Sequence, residues 1–435
     1  MPGEISCPPR PPLTDPPGQT AVVLPPTCLY LANGLRVIAQ QMPVPALNVG
    51  LWAQCGSLHE PDAWNGMAHF LEHMVFKGTA RLQLGEFERR VEATGSLTNA
   101  ATSHDYTQYY ITTTPAHFQD LAPLLMDLVQ SPGLPAADFE QERHVILEEI
   151  RRSQDHPQRR LFRHAMDVAF DRLPYRRPVL GPAEVVARLT VEEMRQFHDT
   201  WYRPAGLTAV AVGDLPVESL IETIAQTWGH LEPGDVTQPY WEPEPPFAQV
   251  CRRDIPEPHL QQARLLMLWR VPGLNQLEET YPLDALAAIL GQGRTARLVQ
   301  TLREEKGWVT SIAAHNLTYR HQGVFWISAQ LPVEHLGAVE AAILETLAEL
   351  QTTGITDQEL ARVRRQVANR FVFANETPGD RAGLYGYYAT LLNCLEPGLD
   401  YPERIQALDP ETLRQAAGRY LPTQAYGVVC LRPQT

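Results

Sequence analysis

The sequence predicts an α+β protein built as two related halves. Three features point there. Short apolar segments of strand character are interleaved with amphipathic helices. A stretch dense in proline and acidic residues, 231–247, interrupts that pattern once. After the interruption the order of elements starts again. The chain has 435 residues, more than one ordinary core holds, so two domains are expected. A hydrophobic content of 44% and a charged content of 20% are those of a globular chain, not a disordered one.

The elements follow in order. Residues 1–26 are proline-rich, with no basic start leading into a long apolar run. They read as an extended arm, not a secretory signal. No apolar run reaches the length of a membrane span. A soluble, cytoplasmic protein is the expectation. The first domain is predicted over 27–230. It opens with LYLANGLRVIAQQ, a hairpin turning at Asn33-Gly34. PALNVGLWAQCGS is a strand in which Leu47, Val49, Leu51 and Ala53 alternate with their neighbours. A helix is expected through 67–76. LGEFERRVEATG is a second, amphipathic helix that stops at Gly95. SLTNAATSHDYTQYYITTTP is rich in Thr and Tyr and has no helical period, so it is strand. Helices follow around HFQDLAPLLMDLVQ, DFEQERHVILEEIRRSQ and VEEMRQFHDTWY, and LTAVAVGDL closes the domain as a strand.

Residues 231–247 form the linker, and 248–435 the second domain. There QQARLLMLWRVPG repeats the character of PALNVGLWAQCGS. HFLEHMVFKGTARL can be laid without a gap over ALAAILGQGRTARL. His69 then meets Ala285, Glu72 meets Ala288 and His73 meets Ile289. The second half is a duplicate whose helix lost its polar face.

Charge and cysteines narrow the function. A net charge of −14 argues against nucleic acid as the main partner. The six cysteines are scattered, with no CxxC pair, so neither a thiolate zinc ribbon nor a disulfide framework is signalled.

The stretch HFLEH carries the chemistry. Residues i and i+4 of a helix share a face, so His69 and His73 aim at one point. Neutral imidazoles are good zinc ligands. Glu72 borders the same face and is placed to take a proton from water. HxxEH is the reverse order of the HExxH signature of metal-assisted hydrolysis. Two histidines leave a catalytic metal one protein ligand short. ERHVILEEIRRSQ offers Glu142, Glu148 and Glu149 on one predicted helix. Glu142 and Glu149 share a face, but spacing alone leaves Glu148 and Glu149 equal candidates for the third ligand.

LANGLRV, GMAHFLEHMVFKGT, GSLTNAATSHDYTQYY, ERHVILEEI and RTARLVQTLREEKG, in that order, resemble the pitrilysin family of zinc peptidases. The resemblance is to its mitochondrial-processing-peptidase-like bacterial branch, and it spans nearly the whole chain after the arm. It implies two homologous domains, each a mostly antiparallel sheet packed by helices, facing each other across a chamber. It implies Zn2+ on His69, His73 and Glu149, with Glu72 as general base and Glu142 supporting the site from behind. It assigns Asn99, Ala100 and Ala101 to an edge strand where an extended peptide adds by main-chain hydrogen bonds. It places Arg303 across the chamber toward the substrate. One position departs from the family: seven residues after Arg303, where a Tyr usually stands, is Thr310. A threonine hydroxyl is too short to span that gap, and one lost oxyanion donor costs ~10²–10³ in rate.

The expectation is a zinc endopeptidase for short unfolded peptides, the zinc-bearing subunit of a heterodimer whose paralogous partner carries the Arg/Tyr pair. A homodimer, and Tyr319 standing in for the missing Tyr, are the alternatives on assembly. A non-catalytic peptide-binding or scaffold subunit of a larger complex is the alternative on function.

Overall fold

The computed structural model describes residues 25–434. The proline-rich arm therefore lies outside the described residues, apart from Pro25 and Pro26.

Two sheets organise the chain. The first holds β1 (Thr27–Tyr30), β2 (Arg36–Gln41), β3 (Leu47–Ala53), β4 (Leu97–Thr102), β5 (Thr107–Thr113) and β6 (Leu207–Gly213), in the order β1-β2-β6-β3-β5-β4. Only β2 and β6 run parallel. The second holds β7 (Cys251–Glu257), β8 (Ala263–Pro272), β9 (Ser311–Leu317), β10 (Gln322–Leu331) and β11 (Gly427–Pro433), in the order β7-β11-β8-β10-β9. Only β7 and β11 run parallel there. The mostly antiparallel α+β expectation holds. Gly34, at a φ of 91°, makes the turn between β1 and β2. The Thr/Tyr-rich stretch resolves into a hairpin, β4 and β5, and β4 is the outer strand of its sheet.

The helices of the first half are α1 (Met67–Val75), α2 (Glu86–Ala93), α3 (Phe118–Gln130), α4 (Ala136–Asp155), α5 (Pro157–Ala169), α6 (Ala183–Val186), α7 (Val191–Trp201) and α8 (Val217–Trp228). Those of the second are α9 (Thr280–Gly291), α10 (Leu336–Thr352), α11 (Asp357–Phe373), α12 (Pro378–Leu392), α13 (Glu396–Leu399), α14 (Tyr401–Ala407) and α15 (Pro410–Tyr420).

The alternation expected of β3 is absent: every residue of β3 and β6 is buried. One face meets the helices of its own half, with Leu51 and Val49 in a core that includes Phe118, Leu125 and Ile224. The other face is covered by α12, which comes from the second half. Trp52, Val210 and Val212 pack there on Ala382, Tyr385 and Ala389. The approach is close enough that a Cβ on Gly386 would sit 2.1 Å from the Trp52 ring, so only glycine fits. The exchange is reciprocal. From the first half, α5 lays Leu161, Ala165, Met166 and Ala169 on Leu266, Leu268, Val429 and Leu431 of the second sheet. Each large apolar side chain so buried contributes ~1.5–3 kcal/mol, which couples the two halves through packing.

A polar seam adds to that coupling. Asp105 accepts from the Tyr175 hydroxyl (2.8 Å) and from the backbone N–H of Arg320 (3.1 Å). The Tyr175 hydroxyl accepts in turn from the His321 backbone (3.2 Å). Burial pushes the Asp105 carboxyl up to about 6, against the two bonds that favour its charge.

Candidate metal centre

The site begins with how α1 is started. Gly66 sits at a φ of 102°, and a Cβ there would fall 2.8 Å from the Leu180 carbonyl oxygen. The Glu60 carboxylate takes over the capping. It accepts from the N–H groups of Gly66 (2.9 Å) and Ala68 (2.7 Å) and from the Asn65 amide (2.8 Å). The two backbone N–H groups are donors that a helix N-terminus otherwise leaves unpaired, at its positive end. Burial pushes the Glu60 carboxyl up to about 7 despite them.

The apolar face of α1, with Met67, Phe70, Leu71 and Met74, is sealed into the core. Phe70 stacks on Phe139 of α4 at 4.4 Å. That contact sets α1 across α4 and turns the polar residues of both helices toward each other. Nε2 of His69 lies 3.7 Å, and Nε2 of His73 3.8 Å, from the same oxygen of Glu149. One donor atom from each of the three lies within 4.8 Å of the others. Glu148 turns outward and is held by Arg151 (2.7 Å) and Arg152 (3.1 Å). The choice that spacing left open falls geometrically to Glu149.

Glu142 bridges behind the cluster, 2.8 Å from Nδ1 of His73 and 2.6 Å from the Lys77 ammonium. Burial raises its carboxyl, but Lys77 and His73 prevail and hold it below the usual range. An ionised Glu142 accepts the Nδ1–H of His73 and leaves Nε2 with its lone pair facing the cluster. Burial, aided by the neighbouring His73, holds His69 down to about 3, so its imidazole is neutral.

Separations of 3.7 and 3.8 Å are too long for hydrogen bonds. They are near the spacing of roughly 3.3 Å between ligand atoms around a tetrahedral ion with bonds of ~2.0–2.1 Å. Two imidazoles and one carboxylate, with a side left open, are the donor set of a catalytic zinc site. The residues fit the metal.

Glu72 stands beside the cluster, fixed by a hydrogen bond from the Thr102 hydroxyl at the end of β4. Burial raises its carboxyl above the usual range, while Thr102 and His73 oppose that. Neither Thr102, Lys77 nor Glu60 was singled out from sequence. The only signal for Glu60 was an acid a short loop before the helix.

Asn99, Ala100 and Ala101 lie on β4, whose outer edge has no strand partner among the described residues. The Ala100 N–H is taken by the Asn99 side chain (2.9 Å). The hydrogen bonds of Arg303 go to Glu304. Thr310 donates to Gln262 (3.1 Å). Tyr319 stacks on Tyr175 at 4.3 Å, edge-on to His104, locked into the seam.

Comparison with known proteins agrees with this architecture. Residues 36–183 match the model "Insulinase (Peptidase family M16)", and 188–367 match "Peptidase M16 inactive domain". The chain belongs to the M16, or pitrilysin, family of peptidases. This M16 chain is similar to the zinc protease PqqE of Helicobacter pylori, 28% identical over 93% of this chain and 92% of that one. The probable mitochondrial-processing peptidase subunit beta of Arabidopsis thaliana is 26% identical over 93% of this chain and 77% of its own length. The crystal structure of a protease from Helicobacter pylori superposes with a TM-score of 0.89 at 26% identity, covering 94% of this chain and all of that one.

Proposed function

We propose that this chain is a zinc metalloendopeptidase of short unfolded peptides, with 27–230 as the metal-binding half, 231–247 as linker and 248–435 as the facing half. The observation that carries the proposal is the convergence of His69 Nε2, His73 Nε2 and a Glu149 oxygen, with Glu72 on the same helix. The relatives named zinc proteases support zinc as the ion. Bound there, zinc polarises a carbonyl oxygen and lowers the pKa of a water to about 7.

The residues divide the remaining work. Glu142 fixes the His73 ring and its tautomer. The free edge of β4 at Asn99–Ala100–Ala101 aligns an extended peptide by main-chain hydrogen bonds. Glu72, oriented by Thr102, takes a proton from the attacking water and delivers it to the leaving amine. Thr310 stands where a longer donor would stabilise the oxyanion, and Arg303 is bound to Glu304. That gap supports assembly with a paralogous chain that supplies an Arg/Tyr pair.

The test is peptide hydrolysis by the zinc-loaded chain, alone and with such a paralogue. Cleavage that rises sharply with the partner is expected. Full activity alone removes the heterodimer. Peptide binding with no turnover in either case, the behaviour of a scaffold subunit, removes the peptidase. The scaffold reading draws on the same Thr310 gap.

A further inference from the structure

A cavity of about 890 Å³ runs along the end of α4 and the face of α5, with Trp326 of the second sheet also lining it. It starts immediately past the metal-facing Glu149, because Ile150, Ser153 and Gln154 line it. Ser153 is four residues beyond Glu149, about 6 Å along the helix axis. An extended peptide advances ~3.3 Å per residue, so a side chain a few residues from the scissile bond reaches this space.

The walls are basic in a chain whose net charge is −14. Among the described residues five arginines line the cavity, with Asp167 as the one lining carboxylate. Three of the five are committed elsewhere. Arg160 pairs with Glu257 (2.9 Å), Arg176 lies 3.7 Å from Asp62, and Arg177 donates to Asp62 (2.8 Å) and the Ser57 carbonyl (2.9 Å). Arg177 is buried, and its Nε–H has no hydrogen-bond partner among the described residues. Asp167 is engaged by Arg253 (3.4 Å) and His164 (3.8 Å).

Arg159 and Arg163 differ. They stand one turn apart on α5, hence on one face, and line the cavity. Neither makes a hydrogen bond or ion pair with another described residue; the charge of Arg163 helps hold the Asp167 carboxyl down, alongside His164 and Arg253. Between them Phe162 meets Trp326 edge-on at 5.2 Å, giving the cavity an apolar wall beside its free cations. A short aliphatic stem ending in a carboxylate matches that pairing, and a guanidinium grips a carboxylate by two parallel bonds.

We propose that this cavity is a specificity site that takes an acidic side chain, Asp or Glu, of the peptide substrate, with Arg159 and Arg163 as its counter-ions. The proposal rests on the peptidase reading, but its test does not need turnover. Labelled ten-residue peptides, each with a single Glu or Gln at a scanned position, are titrated into the zinc-loaded Glu72→Gln protein by fluorescence anisotropy. At one or two positions the Glu peptide binds roughly tenfold tighter than its Gln twin. Arg159→Glu with Arg163→Glu, both at exposed positions, reverses the preference toward Lys at those positions. Equal binding of Glu and Gln peptides at every position overturns the proposal. So does a preference that survives the double substitution, or one that vanishes on amidating the peptide C-terminus, which would assign the cavity to a chain end. Turnover of the same peptides by the unsubstituted protein together with the paralogous partner separates the two readings. Preference without cleavage supports the cavity and ends the peptidase; cleavage without preference does the opposite.

Discussion

α1 and α9 are the same helix used twice. Each lies against the outer strand of its sheet, β4 or β9, and the two align without a gap into the shared TARL. Yet α9 is apolar, with Ala285, Ala288 and Ile289 buried where α1 has His69, Glu72 and His73. It presses onto β9 so tightly that a Cβ on Gly291 would meet the Ala314 nitrogen at 2.0 Å. The helix packed on each differs in the same sense. α4 brings Glu142 and Glu149 to α1, whereas the carboxylate of Glu359 on α11 is spent on Arg297 (2.6 Å). The difference teaches that the donor set is not a by-product of the fold. Burying imidazoles and carboxylates costs stability unless something completes them. At the same positions α9 carries core side chains instead.

The sharpest way to test the contrast is to move α1 one atom toward its silent twin. Glu72→Gln should lower peptide turnover by about 10²–10⁴-fold while zinc content stays at one per chain, read by a quenched-fluorescence assay and metal analysis. Loss of zinc instead would mean that Glu72 is a ligand. The reverse graft is the next largest effect. Ala285→His, Ala288→Glu and Ile289→His together should cost on the order of 3–5 kcal/mol in denaturant melts, with no gain of zinc. A second bound zinc would break the comparison, because α11 has no carboxylate set to complete it.

The seam between the halves titrates. Asp105 has a folded-state pKa of about 6, above its unfolded value of ~3.9. The folded state therefore holds the extra proton. Its contribution is fully present below pH ~4, falls as pH rises toward 6, and is flat above that. Asp105→Asn should remove that slope, so the stability difference between the two proteins shifts by on the order of 2 kcal/mol between pH 4 and 7. Parallel stability curves would contradict the burial argument. An effect of similar size is expected of Glu142→Gln, which should weaken zinc 10–100-fold in chelator competition by loosening His73. Glu148→Gln should leave affinity unchanged, since that carboxylate faces Arg151 and Arg152.

Much of this was legible in the chain. The i, i+4 histidines needed only helical geometry, and the α+β plan of two sheets packed by helices followed from element order. Glu149 was not separable from Glu148 by spacing, because adjacent helical residues differ by 100° and the docking direction of α4 is a tertiary fact. The arginines at i+3 and i+4 from Glu148 were the available hint that it faces water. The exchange of α5 and α12 between sheets left its mark in β3 and β6, which are buried on both faces. Local pattern cannot name a partner 300 residues away. Thr102 and Lys77 were invisible for the same reason: each matters only for what folding sets beside it.

The most direct test of the central claim is an anomalous-difference map at the zinc edge, from crystals of the chain grown with zinc. One peak is predicted, within ~2.0–2.2 Å of His69 Nε2, His73 Nε2 and a Glu149 oxygen. A peak elsewhere, or none between those three side chains, would contradict it.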